Sequence, residues 1–234
     1  VDSASLPGLA ARYGLEERAT GHLARLAERL SAERAPTAVR EPADVMARHI
    51  ADALVGLELA EVRSACRVAD LGSGAGLPGL ALAAALPGAS FQLVESQRSR
   101  CSYLAATAAD MGISNARVVW SRAEEWAEGI GSNDLVVARA LAPQAVVMEY
   151  AAPLLALDGY LVEWRGRRDS DEEAQAARAA EALGLTRQEI RHVAPYPGAL
   201  QRHLHVFRKS APTPDGFPRR PGLASRRPLG AQPG

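Results

Sequence analysis

The chain has 234 residues, 47% of them apolar and 23% charged, and its formal net charge is zero. That length gives one sizeable hydrophobic core but not two independent domains, and neutrality argues against an indiscriminate nucleic-acid binder. No run of about 18 uncharged apolar residues is present, which argues against a membrane span, and Val1 to Leu15 lack a signal-peptide layout. Cys66 and Cys101 stand far apart with no metal-ligand spacing, so the expectation is a reducing cytoplasm and no metal.

From Leu15 to Leu30, apolar residues at Leu15, Ala19, Leu23, Leu26 and Leu30 follow a helical period. A loop runs through Ala35-Pro36-Thr37, and a second helix is predicted from Pro42, with Val45, Met46, Ile50 and Leu54 on its apolar face. Residues 1–62 therefore read as a helical extension. Residues 63–210 then alternate between strands and helices. Short apolar runs predict buried parallel strands at Val68–Leu71, Phe91–Glu95, Val118–Trp120, Leu135–Ala138 and Tyr160–Trp164. Helices are predicted at Leu80–Leu86, Arg98–Met111, Pro143–Leu155 and Asp171–Leu183. Two last strands, Glu189–Val193 and His203–Arg208, flank a Pro195-Tyr196-Pro197-Gly198 turn, which breaks the alternation and predicts one antiparallel strand. The fold expected is α/β, a doubly wound, mostly parallel seven-stranded sheet.

Residues 211–234 are rich in proline and arginine and predict an irregular or mobile tail. From Gln201 onward seven basic residues face Asp215 alone, a net of +6. Arg219, Arg220, Arg226 and Arg227 are therefore candidate RNA-phosphate contacts, set against the plainer reading of a solvated tail.

The most informative segment is Asp70-Leu71-Gly72-Ser73-Gly74-Ala75-Gly76-Leu77-Pro78-Gly79, which follows the first strand and opens a helix. Glycines there let the backbone turn sharply and approach a ligand at the carboxyl edge of the strands. Gly74-x-Gly76-x-x-Gly79 formally matches a dinucleotide fingerprint, with Glu95 at the distance where an acid grips ribose. Three features favour S-adenosylmethionine. Asp70 precedes the glycines, where a carboxylate would face a cationic ligand; the glycines also read Gly72-x-Gly74-x-Gly76; and Pro78 stands at the helix entry.

Six pieces, the glycine loop among them, narrow the class. Val39-Arg40-Glu41-Pro42, Arg48-His49-Ile50-x-Asp52, the glycine loop, Ser121-Arg122-Ala123-Glu124-Glu125, Ala138-Arg139-Ala140 and Arg202-His203-Leu204 occur in that order. With them, and with Pro218-Arg219-Arg220-Pro221-Gly222 in the tail, the chain resembles the bacterial 16S ribosomal RNA guanine-N7 methyltransferases, also called glucose-inhibited division protein B. The resemblance implies a Rossmann-like class I S-adenosylmethionine-dependent methyltransferase acting on 16S rRNA or the small ribosomal subunit, as a monomer. It implies cofactor contacts at Asp70, Gly72, Gly74, Gly76, Leu77, Glu95, Ala123, Glu124 and Arg139, and positioning roles for Arg139, Arg122 and Arg165. His49 and Asp52 enter as substrate-side candidates by likeness only. Arg165 departs from the family's usual lysine, and Ala35-Pro36-Thr37 departs from its Asn-Leu-Thr stretch. No acid–base catalyst is expected, because guanine N7 carries a free lone pair. The rival readings are a small-molecule methyltransferase, a nicotinamide-dependent oxidoreductase and an idle RNA-binding assembly factor.

Overall fold

Every apolar run read as a strand enters one sheet. In the computed structural model, which describes residues 4–231, the strands are β1 (Arg67–Leu71), β2 (Ser90–Glu95), β3 (Ala116–Trp120), β4 (Asn133–Arg139), β5 (Leu155–Arg165), β6 (Leu185–Val193) and β7 (Arg202–Lys209). The outermost residues of the predicted extension and tail, 1–3 and 232–234, lie outside the described residues. Strand order is β3-β2-β1-β4-β5-β7-β6, and β7 alone runs against its neighbours. This is the expected single antiparallel strand, produced where a strand–turn–strand follows the last crossover helix.

Side-chain alternation divides the core. On β4, Leu135 and Val137 join a cluster with Leu23, Leu26, Leu54 and Leu80, whereas Val136 and Ala138 join one with Val147, Met148 and Ala179. Parallel strands buried on both faces read as continuous apolar runs for this reason. The first face carries α1 (Leu6–Tyr13), α2 (Glu17–Ser31), α3 (Pro42–Val45), α4 (Asp52–Leu54), α5 (Ala60–Arg63), α6 (Gly79–Ala85) and α7 (Arg98–Met111). The second carries α8 (Gln144–Ala151) and α9 (Ser170–Ala182). Among the described residues no helix is long and apolar enough to cross a membrane.

Three local features differ from the sequence reading. α1 was not anticipated, although its signals are present: the Ser5 side chain accepts from the Gly8 N–H, Pro7 sits in the first turn, and Gly14 closes the helix at φ 68°. The helix beginning at Pro42 is not uniformly α. It passes through a π-helical turn at Met46–Ala51 before α4. The tail is irregular, as expected, but it packs rather than floats. Its few apolar groups, Phe217 and Leu229, lie on the second cluster, Ala224 is buried, and residues Leu223–Arg226 form a short helix, α10.

A buried polar chain crosses the second face. The Gln144 amide Nε2 lies 2.7 Å from Glu163 Oε2 and 2.9 Å from His205 Nδ1, and all three residues are buried. Burial raises the Glu163 carboxyl to about 7, opposed by the Gln144 hydrogen bond and by Arg165. Between the ordinary carboxylate range and that value, the folded chain holds a proton that the unfolded chain has released. This group's contribution therefore falls as pH rises through the window. Glu163→Gln keeps an acceptor and removes the titration. Its melting temperature relative to the parent is expected to climb between about pH 5 and about pH 8; a constant difference in thermal melts would refute this.

Candidate functional site

Strand order turns back at β1, whose neighbours β2 and β4 send their following helices to different sides of the sheet. The crevice this leaves at the carboxyl ends of β1 and β4 is where open α/β sheets place ligands. The loop from Gly72 to Pro78 fills its floor. Gly74 and Gly76 adopt φ 55° and 94°, a left-handed backbone that a side chain would strain. Gly79 must be small for a different reason: an added Cβ would stand 2.5 Å from Asp70 Oδ2 and 2.6 Å from Leu93.

A cavity of about 300 Å³ lies above the loop, walled by Gly72, Glu95, Arg122, Ala123, Leu141 and Tyr150, among others. Glu95 ends β2 and is almost completely buried. Its Oε2 accepts from the Gly74 N–H (3.1 Å) and its Oε1 from the Gln97 N–H (2.8 Å), with the Arg100 guanidinium 3.9 Å away. A carboxylate offers about four acceptor positions, so two backbone donors fix its orientation and still leave capacity for a pair of hydroxyls. The cavity's size and this spare capacity fit an adenosyl group.

A second cavity of about 380 Å³ opens beside the first, at the ends of β4 and β5. Arg48, Arg139, Arg165, Arg167 and Arg202 all border it, with Asp52 as the one carboxylate among its lining residues. Asp52 is buried, accepting from Arg139 Nη1 at 2.8 Å through Oδ2 and facing Arg202 Nε at 3.2 Å through Oδ1. Its backbone carbonyl accepts from Trp164 Nε1 at 2.7 Å, and Gly56 leaves room for that ring, since a Cβ there would lie 2.5 Å from it. Burial, reinforced by Arg139, lowers His49 to about 4, so its imidazole is neutral at physiological pH. His49 Nε2 hydrogen-bonds the Thr37 hydroxyl at 2.8 Å. A basin with five guanidiniums and one carboxylate is suited to anions.

The two cavities share Ala140, the residue after Arg139. It sits at φ 52°, one of two non-glycine residues among those described with positive φ. Such backbone persists only where its surroundings enforce it, and it clusters at functional sites.

Of the residues singled out from sequence, Gly72, Glu95, Arg122, Ala123 and Glu124 meet in the first cavity, and Arg139, Arg165 and His49 in the second. Arg139 therefore borders the basin rather than the Glu95 cavity. Gly74 acts through its N–H to Glu95, while Gly76 and Leu77 are buried in the loop, Leu77 against the first core cluster. Asp70 borders neither cavity, whereas the sequence reading set it against a cationic ligand. Strand alternation aims it beneath α6, where Oδ2 accepts from the Gly79 N–H at 3.0 Å. It is fully buried, its Oδ1 has no hydrogen-bond partner, and burial raises its carboxyl to about 7. Arg165 is held by the Ala142 carbonyl and Glu172. The tail arginines border neither cavity. Arg219 pairs with the buried Glu149, whereas Arg220, Arg226 and Arg227 are exposed. Sequence reasoning passed over Arg202, Leu141 and Tyr150 as site residues. Arg202 lay within a quoted motif, but nothing local marked the other two.

A model of the GidB family, rRNA small subunit methyltransferase G, matches residues 18–205. The chain belongs to the GidB family. The ribosomal RNA small subunit methyltransferase G of Moorella thermoacetica is 33% identical over 196 residues, covering 82% of each chain. That of Symbiobacterium thermophilum is 36% identical over 205 residues, again 82% of each. Among solved structures, Aeropyrum pernix fibrillarin with natively bound S-adenosyl-L-methionine shares the fold (TM-score 0.55, 18% identity, 67% of this chain and 72% of that one). So does the precorrin-6y C5,15-methyltransferase of Geobacter metallireducens (TM-score 0.52, 14% identity, 68% and 87%). As a GidB protein the chain is an S-adenosylmethionine-dependent rRNA methyltransferase of class I, Rossmann-like fold. This overturns the dinucleotide reading of its glycine loop.

Proposed function

We propose that this GidB protein methylates N7 of a guanine in 16S rRNA, with the donor in the Glu95 cavity and the RNA in the arginine basin. The observation that carries this reading is the meeting of the two cavities at Ala140. One chamber is shaped for an adenosyl group and the other is charged for phosphate.

Bound S-adenosylmethionine supplies an electrophilic methyl group on a sulfonium. The chain's residues bind and align. Glu95, fixed by Gly74 and Gln97, accepts from the ribose hydroxyls. Gly72, Ala123 and Glu124 border the adenosyl group, and Leu77 and Gly76 hold the loop beneath it. Arg139, set by Asp52, and Arg165, set by Glu172, position the RNA backbone, with Arg122 at the rim. Transfer of that methyl to the N7 lone pair would release the sulfur as a neutral thioether and leave the positive charge on the purine. No proton moves, so no general base is needed, and neutral His49 is compatible with that. Rate enhancement comes from in-line positioning.

N7 of a paired guanine faces the deep, narrow major groove of A-form RNA, which protein side chains cannot easily read. The target guanine therefore lies in a loop or irregular region, turned toward Ala140. The test is transfer of labelled methyl to small ribosomal particles, followed by chain cleavage specific for N7-methylguanine. Label released at a single guanine is expected. Label on an exocyclic amine or a ribose would overturn the proposal.

A further inference from the structure

The charged tail invites a reading as an RNA-binding arm, but its contacts point inward. Three residue pairs fasten it to the wall of the donor cavity and to α8 beside it. Gly222 donates its backbone N–H to Glu124 Oε1 at 3.1 Å. The Tyr150 hydroxyl and Ser225 Oγ lie 3.2 Å apart. Arg219 grips both oxygens of Glu149, a carboxylate only 2% exposed, and its Nη2 also donates to the Arg227 carbonyl at 2.9 Å. Further on, Gln175 Nε2 donates to the Leu229 carbonyl at 3.0 Å and Arg178 Nε to the Gly230 carbonyl at 2.8 Å. The tail presses so closely on α9 that a Cβ at Gly230 would lie 2.5 Å from the Gln175 carbonyl oxygen.

Two of the residues held in this way, Glu124 and Tyr150, line the donor cavity. Glu149 precedes Tyr150 on α8, so the Arg219 pair sets the position of the helix that carries the Tyr150 ring. The strapped segment also lies beyond residues 18–205, the part matched by the family model.

We infer that residues 217–230 are a structural wall of the donor site, in which Gly222 and Arg219 act as positioning residues for Glu124 and Tyr150. The tail then serves methyl transfer by fixing the adenosyl end of the donor, while Arg220, Arg226 and Arg227 stay exposed. Arg219 is unavailable to phosphate because Glu149 already neutralises it in a bidentate pair. This inference rests on the Glu95 cavity being the donor site.

The decisive variant ends the chain after Arg220. It keeps the buried Arg219–Glu149 pair but removes the Gly222, Ser225, Arg227, Leu229 and Gly230 contacts, and its melting curve reports whether the fold is kept. Calorimetric titration with S-adenosylmethionine is expected to show about tenfold weaker binding than the full chain, the scale of one lost hydrogen bond to a charged group. Glu124→Ala in the full chain should weaken binding comparably. Combined with the truncation it should add little, because both remove one coupled element. Because the truncation also removes the exposed Arg226 and Arg227, binding of 16S RNA and its salt dependence are followed in parallel at saturating donor. Donor affinity within about twofold of the full chain, in a truncated protein whose melting curve is intact, would overturn the inference. So would a flattened salt dependence with donor affinity unchanged, which would make the tail an RNA arm. Failure of the full chain to bind the donor would instead bring down the cofactor assignment, and this inference with it.

Discussion

Glu95→Ala is expected to reduce S-adenosylmethionine affinity by at least about a hundredfold while leaving a folded protein. Two ribose hydrogen bonds to a charged acceptor are lost, each contributing about 1.5–3 kcal/mol, and about 1.4 kcal/mol corresponds to tenfold. The backbone donors of Gly74 and Gln97 lose their acceptor too, so the loop loosens where the donor rests. Both donors are only part-buried, and water can replace the carboxylate, which keeps the cost to folding small. Glu95→Gln preserves one acceptor oxygen and should fall between the two. Calorimetry decides: an alanine variant binding within about threefold of the parent would remove Glu95 from the donor site.

Arg139→Ala is expected to separate RNA recognition from donor binding. Its guanidinium borders the basin and not the Glu95 cavity, so donor affinity should hold while methylation of small-subunit particles drops by about a hundredfold, the scale of misplaced reactants. Folding should survive, because Asp52 keeps Arg202 as its counter-charge and its carbonyl keeps the Trp164 bond. Arg139→Lys is not a conservative rescue. A lysine restores charge but not the planar fork, so partial recovery is expected. Equal loss of donor and RNA affinity would place Arg139 on the donor instead. Undiminished methylation would remove it from the site.

Much of this was legible in the sequence because the physics is local. The strands of a doubly wound sheet are buried on both faces, so Val68–Leu71 and Leu135–Ala138 announce themselves as apolar runs. The glycine loop is legible because left-handed backbone demands glycine at Gly74 and Gly76. The placing of Asp70 was not legible, because only the folded strand shows that the residue before the loop points beneath α6. Charge and proline content made the tail look mobile. Its anchoring depends on Glu149 and Glu124, about 70 and 98 residues away in the chain, and no local pattern reports such a pairing. The basin was half visible. Arg139 and Arg165 stood out by likeness, but the role of Asp52 as hub for Arg139 and Arg202 exists only once β4, β7 and α4 are brought together.

The alanine-rich helices have a consequence for function. α9 buries only Ala176, Ala179 and Ala180, and such small contacts let the tail lie close against α8 and α9. The wall of the Glu95 cavity is thus assembled from elements distant in sequence, with the tail packed behind it.

The seat of the donor decides between these outcomes. Crystals of the protein grown with S-adenosylmethionine should show the ribose hydroxyls on Glu95, the adenine beside Ala123 and Leu141, and the methyl group directed past Ala140 into the arginine basin. Donor density elsewhere, or a methyl group turned away from that basin, would contradict it.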